Sequence, residues 1–258
     1  MSQLVGTLVK AMDVLDALGE AAPTGVLELS RRLEMDKSAV SRILTTLKSR
    51  GYVHVRENGQ YDIGLRLFEL GQILQERMPV RDLLIPHVDA IAQETGETTF
   101  ALHYTQGQIA YLYDCVSAHD IRLGERCGMR AAPWNHPAGR AILAFRKEVE
   151  VLNDLTAARR INRKGLPTIA EFRRELAAVR MRGYAEQSDS EKWLLSVPIY
   201  NEITNRVTAA LMLGGPKFRI SSTRKYSFVK ILIRHAREVS QSLEWTKVGT
   251  SMKSAKRA

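Results

Sequence analysis

Cysteine is scarce in this chain of 258 residues: Cys115 and Cys127 are the only two, and their spacing is not that of a CxxC pair. A disulfide framework or redox pair is therefore not expected, and a reduced cytoplasmic protein is. Long apolar runs are missing too. No stretch approaches the ~18–20 apolar residues a spanning helix requires, and no secretory signal precedes the first amphipathic segment, so no membrane partner is expected. The HExxH, GxSxG and P-loop signatures of common catalytic sites do not occur. His103, His119 and His136 are scattered, and Asp189 and Glu191 are paired carboxylates in a polar loop that reads as solvated. These absences point to a protein that is not an enzyme and uses no metal and no cofactor. Internal repeats and low-complexity blocks are also lacking.

What the chain does have is ordinary globular composition, with 45% hydrophobic and 26% charged residues, enough to build buried cores. Its length suits two domains of about 100–150 residues better than one. The net charge of +10 suggests a polyanionic partner, but it is unevenly placed. Residues 1–64 carry 8 basic and 8 acidic side chains, residues 65–215 carry 19 and 18, and residues 216–258 carry 11 and 2. Any argument for DNA binding must therefore rest on local arrangement. The basic region 216–258 reads by default as solvated surface, with DNA contact or a subunit interface as alternatives.

Apolar residues Leu4, Leu8, Val9, Met12, Leu15 and Leu18 recur at helical spacing and predict a first helix ending near Gly19. A turn follows, in which Thr24 can cap a short second helix with the stripe Val26, Leu27, Leu29 and Leu33. Asp36 is placed to cap a third helix, whose buried stripe is Val40, Ile43, Leu44 and Leu47 and whose end is marked by Gly51. "YVHVRENGQYDIG" alternates around Asn58-Gly59, a dipeptide suited to a type I′ hairpin. Three helices and a hairpin make a winged helix-turn-helix over residues 1–64, followed by a linker helix over 65–80. Residues 81–246 then read as a mixed α and β domain, with helices at 138–145 and 169–182, strands at 194–200 and 206–214 joined by "NEITN", and a last helix over 222–243. Residues 247–258 read as a disordered basic tail.

The third helix has two unlike sides. Lys37, Ser38, Ser41, Arg42 and Thr45 lie away from the apolar stripe, and no acid occurs in residues 37–50. A basic polar face is ordinarily just solvated. Here a short helix precedes it across a tight turn and a hairpin with Arg56 near its tip follows, which favours insertion into a DNA groove. Arg42 can make paired hydrogen bonds to guanine, and the hydroxyls can serve bases or phosphates.

"LELSRRLEMDKSAVSRILTTLKSRGYV" resembles the two central DNA-binding helices of IclR-type transcriptional regulators, and "YDIGLRLFELGQ" their wing exit and linker helix. "NHPAGRAILAF" is similar to the family's small-residue helix start, with Arg140 in place of lysine. The resemblance covers nearly the whole chain. It implies an α+β protein in which the winged helix-turn-helix is joined to a GAF-like effector-binding domain, acting as a homodimer or homotetramer on double-stranded operator DNA. It places Lys37, Ser38, Ser41, Arg42 and Thr45 at DNA; Ala39 stands where many relatives carry threonine.

Residues 128–140, "GMRAAPWNHPAGR", run from a strand end into a helix start, whose free N–H groups suit a small carboxylate. On the residues alone, a shaped loop with Trp134 filling core is an equal reading. The resemblance implies an effector site here, at Trp134, His136, Ala138, Gly139 and Arg140. Leu194 stands about where relatives carry cysteine, Gln187 or Ser188 near a usual aspartate, and Met212 and Gly214 where small hydroxyl residues often lie. With Leu194 and Met212 in the wall, the expected ligand is an organic acid with an apolar or aromatic body. Trp193 is not expected to share the wall with Leu194, because neighbouring strand residues point to opposite faces.

A DNA-binding transcriptional regulator, repressor or activator, controlled by a small carboxylate is thus the first reading. A small-molecule enzyme built on the α/β domain and an adaptor that does not bind DNA are the alternatives.

Overall fold

The computed structural model of the chain describes residues 4–20, 23–76, 78–161, 164–201 and 206–255. Two compact units result, Met1–Met78 and Pro79–Ala258.

In the first unit, helices α1 (Gly6–Glu20), α2 (Val26–Arg32) and α3 (Lys37–Ser49) precede the antiparallel hairpin of β1 (Val53–Val55) and β2 (Tyr61–Ile63), and α4 (Leu65–Glu76) follows. This is the winged helix-turn-helix that the pattern predicts. Its core is Val14, Ala17, Leu18, Leu29, Val40, Ile43, Leu44 and Val53. The stripe expected on α1 is buried only in its second half. Leu18 is core and Leu15 packs against it, but Leu4 and Leu8 are 78% and 56% exposed, and Val14 and Ala17 fill the core beside Leu18.

Local hydrogen bonds also differ from expectation. Gly25, not Thr24, is the N-cap of α2, because Thr24 is drawn into a backbone bridge with Tyr61 of the wing. Asp36 does cap α3 by position, but its carboxylate makes no capping hydrogen bond. The hairpin turn is not type I′, which needs two residues at positive φ. Only Gly59 has one, at 78°, and its N–H closes the turn onto the Arg56 carbonyl at 2.9 Å.

The second unit begins with α5 (Pro79–Thr95); a proline is tolerated in a first turn, where its missing N–H costs no helical bond. The strands β3 (Thr98–Thr105), β4 (Gln108–Cys115), β5 (Arg130–Ala131), β6 (Ala185–Ser188), β7 (Lys192–Asn201) and β8 (Arg206–Pro216) form one antiparallel sheet in the order β5-β4-β3-β8-β7-β6. Side chains alternate across it, as strand geometry requires. Phe100, Leu102, Ala210 and Met212 face α6 (Pro137–Leu143), α7 (Glu148–Ile161) and α8 (Ile169–Arg182). Ala101, Leu195, Val197, Leu211 and Leu213 face α5 and α9 (Ser222–Ala255). Helix α7 and strand β6 were not expected from the sequence pattern.

Helix α9 extends through Ala255, into the segment expected as a disordered tail. Residues 244–255 hold no proline, and extending an existing helix adds one backbone bond per residue without a new nucleation cost. Residues 256–258 and most of the "NEITN" connection lie outside the described residues.

Four of the basic residues at the C-terminal end pair with acids of their own domain. Glu97, fully buried just before β3, receives both forks of Arg219 at 2.7 Å, with Arg224 at 3.6 Å. Lys225 pairs with Glu186 at 2.6 Å and Arg234 with Glu94 at 2.6 Å. Removing one partner of a buried pair strands the other charge. Glu97→Ala is accordingly expected to destabilise the domain by about 3–5 kcal/mol, read from urea denaturation of the full chain.

Candidate nucleic-acid interface and effector cavity

Helix α3 is seated by Val40, Ile43 and Leu44 and reached through a tight turn after α2. In that turn Glu34 adopts φ 51°, the Met35 N–H donates to the Ser30 carbonyl (3.0 Å), and the Ser30 hydroxyl donates to the Met35 carbonyl (2.6 Å). The reciprocal bonds fix the approach of α2 to α3. Lys37, Ser38, Arg42 and Thr45 are exposed and Ser41 is half-buried. Neither Lys37 nor Arg42 makes an ion pair or side-chain hydrogen bond among the described residues, so their donors are uncommitted. The Thr45 hydroxyl, in contrast, donates to the Ser41 carbonyl at 2.8 Å and offers a ligand mainly its lone pairs. Ala39 is half-buried in a groove against Thr7, Lys10 and Ala11 of α1.

Arg56 is placed differently from expectation. Its Nε and Nη2 both donate to Asp62 Oδ2, at 3.1 and 2.6 Å, because the two residues flank the same hairpin. The hydrogen bond from Arg56 holds the Asp62 carboxyl below the usual range, and the Ile63 N–H adds to this. Arg56 therefore reaches the wing surface as half of an ion pair.

In the second unit a cavity of about 230 Å³ opens at the end of the α6 face of the sheet. Three of the seven expected effector residues line it: His136, Leu194 and Met212. Trp134 is core, packed edge-on against Phe172 with ring centres 5.6 Å apart. Ala138 is fully buried, and a Cβ on Gly139 would lie 2.1 Å from the Pro133 carbonyl oxygen, so these residues let α6 press against its own entry loop. Arg140 turns to the Glu186 carbonyl at 3.0 Å, and its Nε is buried without a partner; burial pulls its pKa down. The helix start itself is occupied, because the Ala138 N–H donates to His136 Nδ1 at 3.2 Å. A ligand carboxylate does not find that donor free. Trp193 lies on the opposite face, in the core beneath α5 and α9, and its indole N–H donates to Glu186 at 2.7 Å.

The polar wall comes instead from residues the sequence did not mark: Tyr111, Arg126, Asn135 and Lys192, with Gln187 beside them. Phe100 and Leu123 complete the apolar side. Only Phe100 had a readable signal, since strand alternation sets it on one face and the register pairs it with Met212. Tyr111 stands edge-on to both Phe100 and His136, with ring centres 5.5 and 5.7 Å away.

His136 sets the hydrogen-bond polarity of this wall. Its Nδ1 accepts from Ala138, so in the neutral ring Nε2 carries the proton and donates to the Tyr111 oxygen at 2.8 Å. The Tyr111 O–H is then free to donate to a ligand. Burial, with Arg126 and Arg140 adding, lowers the His136 pKa to about 4, and burial raises that of Tyr111. Near neutral pH the wall is thus a neutral imidazole, a phenol donor and two cations, with no carboxylate among the lining residues.

Two family models divide the chain between them: the IclR helix-turn-helix domain matches residues 7–57, and the bacterial transcriptional regulator IclR C-terminal domain matches residues 72–241. The chain belongs to the IclR family. It is 31% identical to the HTH-type transcriptional regulator KdgR of Dickeya chrysanthemi, covering 93% of this chain and 80% of that one. It is also 27% identical to the transcriptional repressor IclR of Escherichia coli (strain K12), over 92% and 89% of the two chains.

Among solved structures, the Thermotoga maritima IclR matches at a TM-score of 0.71 and 24% identity over 93% and 99% of the chains. An IclR homolog from Microbacterium hydrocarbonoxydans, complexed with 4-hydroxybenzoate, matches at 0.75 and 20% over 92% and 99%. These two likenesses concern the fold. The family and its named relatives are DNA-binding transcriptional regulators and not enzymes, and so is this IclR chain. No helix of its described residues is long and apolar enough to cross a membrane.

The burial of His136 has a consequence for stability. Its folded pKa of about 4 lies below the ordinary 6.5, so the unfolded chain takes up the proton first as pH falls. The contribution of the neutral ring is fully present above about pH 6.5 and is lost as pH falls toward 4. His136→Asn is expected to flatten part of that loss, as measured by urea midpoints at pH 7 and pH 5.

Proposed function

We propose that this IclR-family regulator binds a double-stranded operator through Lys37, Ser38, Ser41, Arg42 and Thr45 of α3, and that a small organic acid with an apolar or aromatic body controls it. The observation that carries the effector reading is the wall just described. Arg126, Lys192 and the Tyr111 hydroxyl line the same cavity as Phe100, Leu123, Leu194 and Met212. A carboxylate meets donors of the right sign, and a ring or chain meets carbon. The 4-hydroxybenzoate bound to the Microbacterium homolog is a ligand of this kind and supports the reading. The domain division of the reading is a DNA-binding unit at 1–64, a linker helix at 65–80 and an effector unit at 81–246, in a cytoplasmic protein.

Self-association as a homodimer or homotetramer is supported by apolar side chains that the first unit leaves uncovered. Leu8 and Met12 of α1, and Leu65, Phe68 and Leu74 of α4, are each at least 48% exposed. A monomer mass by light scattering would remove this element of the proposal. The effector acts by binding one arrangement of the assembled copies better than another, which is the only way a ligand shifts such an equilibrium.

Arg42 has no competing partner among the described residues, so Arg42→Ala is expected to weaken specific operator binding by about 1–3 kcal/mol, roughly 5- to 150-fold, with the fold intact. Gel shifts with the DNA upstream of the protein's own gene would show this, and an unchanged footprint would count against the assignment. Isothermal titration should show aromatic acids binding more tightly than small hydroxy acids or sugars, and Lys192→Met should weaken the former at least tenfold. Binding only of small hydroxy acids or sugars would overturn the effector class.

A further inference from the structure

Helices α5 and α9 bring together a cluster that plays no part in the cavity or the α3 face. His87 lies on α5; His235 and Glu238 lie one turn apart on α9. His87 Nδ1 and His235 Nδ1 are 2.9 Å apart. Glu238 Oε2 is 3.6 Å from the first and 3.5 Å from the second. The three atoms therefore form one small triangle.

Three donors bound to a tetrahedral zinc ion at about 2.0–2.1 Å stand about 3.3–3.4 Å from one another, and the edges of this triangle bracket that spacing. The neighbours of His235 Nε2 are Glu94 and Arg234 Nη2, each at 3.2 Å. The other nitrogen of His235 is 3.2 Å from Glu94 Oε1, the carboxylate–imidazole pairing that fixes ring orientation and basicity in metal sites. Arg234 holds Glu94 in turn at 2.6 Å. Glu238 turns Oε1 to Arg234 at 3.9 Å and Oε2 to the imidazoles. His235 is buried, whereas the Glu238 side chain is 48% exposed and leaves a path from solvent.

We propose that His87, His235 and Glu238 form a binding site for a divalent transition-metal ion, with zinc the preferred occupant and the fourth position open to water. Two imidazoles and one carboxylate are a donor set zinc accepts, and a bound ion clamps α5 to α9 across one face of the sheet. Because the site forms only in the folded domain, occupancy raises the unfolding temperature. The alternative is a plain imidazole–imidazole hydrogen bond beside a carboxylate.

The test is titration of the metal-free full chain with Co(II), followed by Zn(II). One equivalent of Co(II) should give visible tetrahedral bands without thiolate charge transfer, Zn(II) should displace it stoichiometrically, and Zn(II) should raise the melting temperature. His87→Gln and the surface variant Glu238→Gln should each lose at least tenfold in affinity, and Glu94→Gln about 10- to 100-fold. Circular dichroism of the metal-free variants confirms that they fold. The Cys115→Ser/Cys127→Ser variant should bind as the parent does. Absence of saturable one-to-one binding, unchanged affinity in both His87→Gln and Glu238→Gln, or loss of binding in the cysteine variant would overturn the site. Failure of Zn(II) to displace Co(II) would overturn zinc as its occupant.

Discussion

The second unit depends on a sheet that is apolar on both faces. Phe100 and Ala101 are neighbours in β3, both fully buried, yet they point into different cores. Neither face can be left to water, so the chain must supply two helical layers: α6, α7 and α8 on one side, α5 and α9 on the other. The cavity lies at the edge of the first layer, beside the α6 start. There the apolar lining of Phe100, Leu194 and Met212 meets loop residues such as Arg126 and Asn135. An amphiphilic cavity follows from that position. Its apolar lining is the margin of the core, and its polar lining comes from the loop residues Arg126 and Asn135 together with Tyr111, Gln187 and Lys192 on the strands.

Charge in this chain is used locally. The +10 net charge suggests an extended basic surface, but several cations after residue 216 are spent on acids of their own domain. The Arg219–Glu97 pair ties the approach to α9 to the start of β3, a contact spanning 122 residues of sequence. The α3 face is the reverse case. Its segment is neutral overall, and among the described residues Lys37 and Arg42 make no ion pair. Arg56, equally basic by composition, is paired with Asp62 across the hairpin. Sequence spacing identified all three as cations and could not distinguish the committed one.

The elements were legible wherever a period and a stop signal coincided. Helix α3 shows its stripe and its glycine end, β1 and β2 show an alternating hairpin, and α8 lies within the expected limits. Failures occurred where several local choices were nearly equal. Leu8, Met12, Leu15 and Leu18 recur on α1 at helical spacing, but only Leu15 and Leu18 pack, joined by Val14 and Ala17, which the spacing did not single out. Helix α7 begins with Glu148 and mixes charges with short apolar groups, so its buried Val151 and Leu155 were hard to see. Thr24 was a reasonable cap until the wing strand offered its backbone a bridge.

By itself the sequence determined the winged helix-turn-helix, the sidedness of α3, and the mixed α and β character of the rest. Those properties are periodic, and periodicity is carried by neighbours along the chain. Only the tertiary structure decided that His136 caps α6 and thereby aims the Tyr111 hydroxyl outward, and that Lys192 and Arg126 join it. Only the tertiary structure set His87 beside His235 across 148 residues. Such meetings depend on strand register and on how helices cover a sheet. A linear pattern records which face a residue prefers, but not which distant residue it will face there.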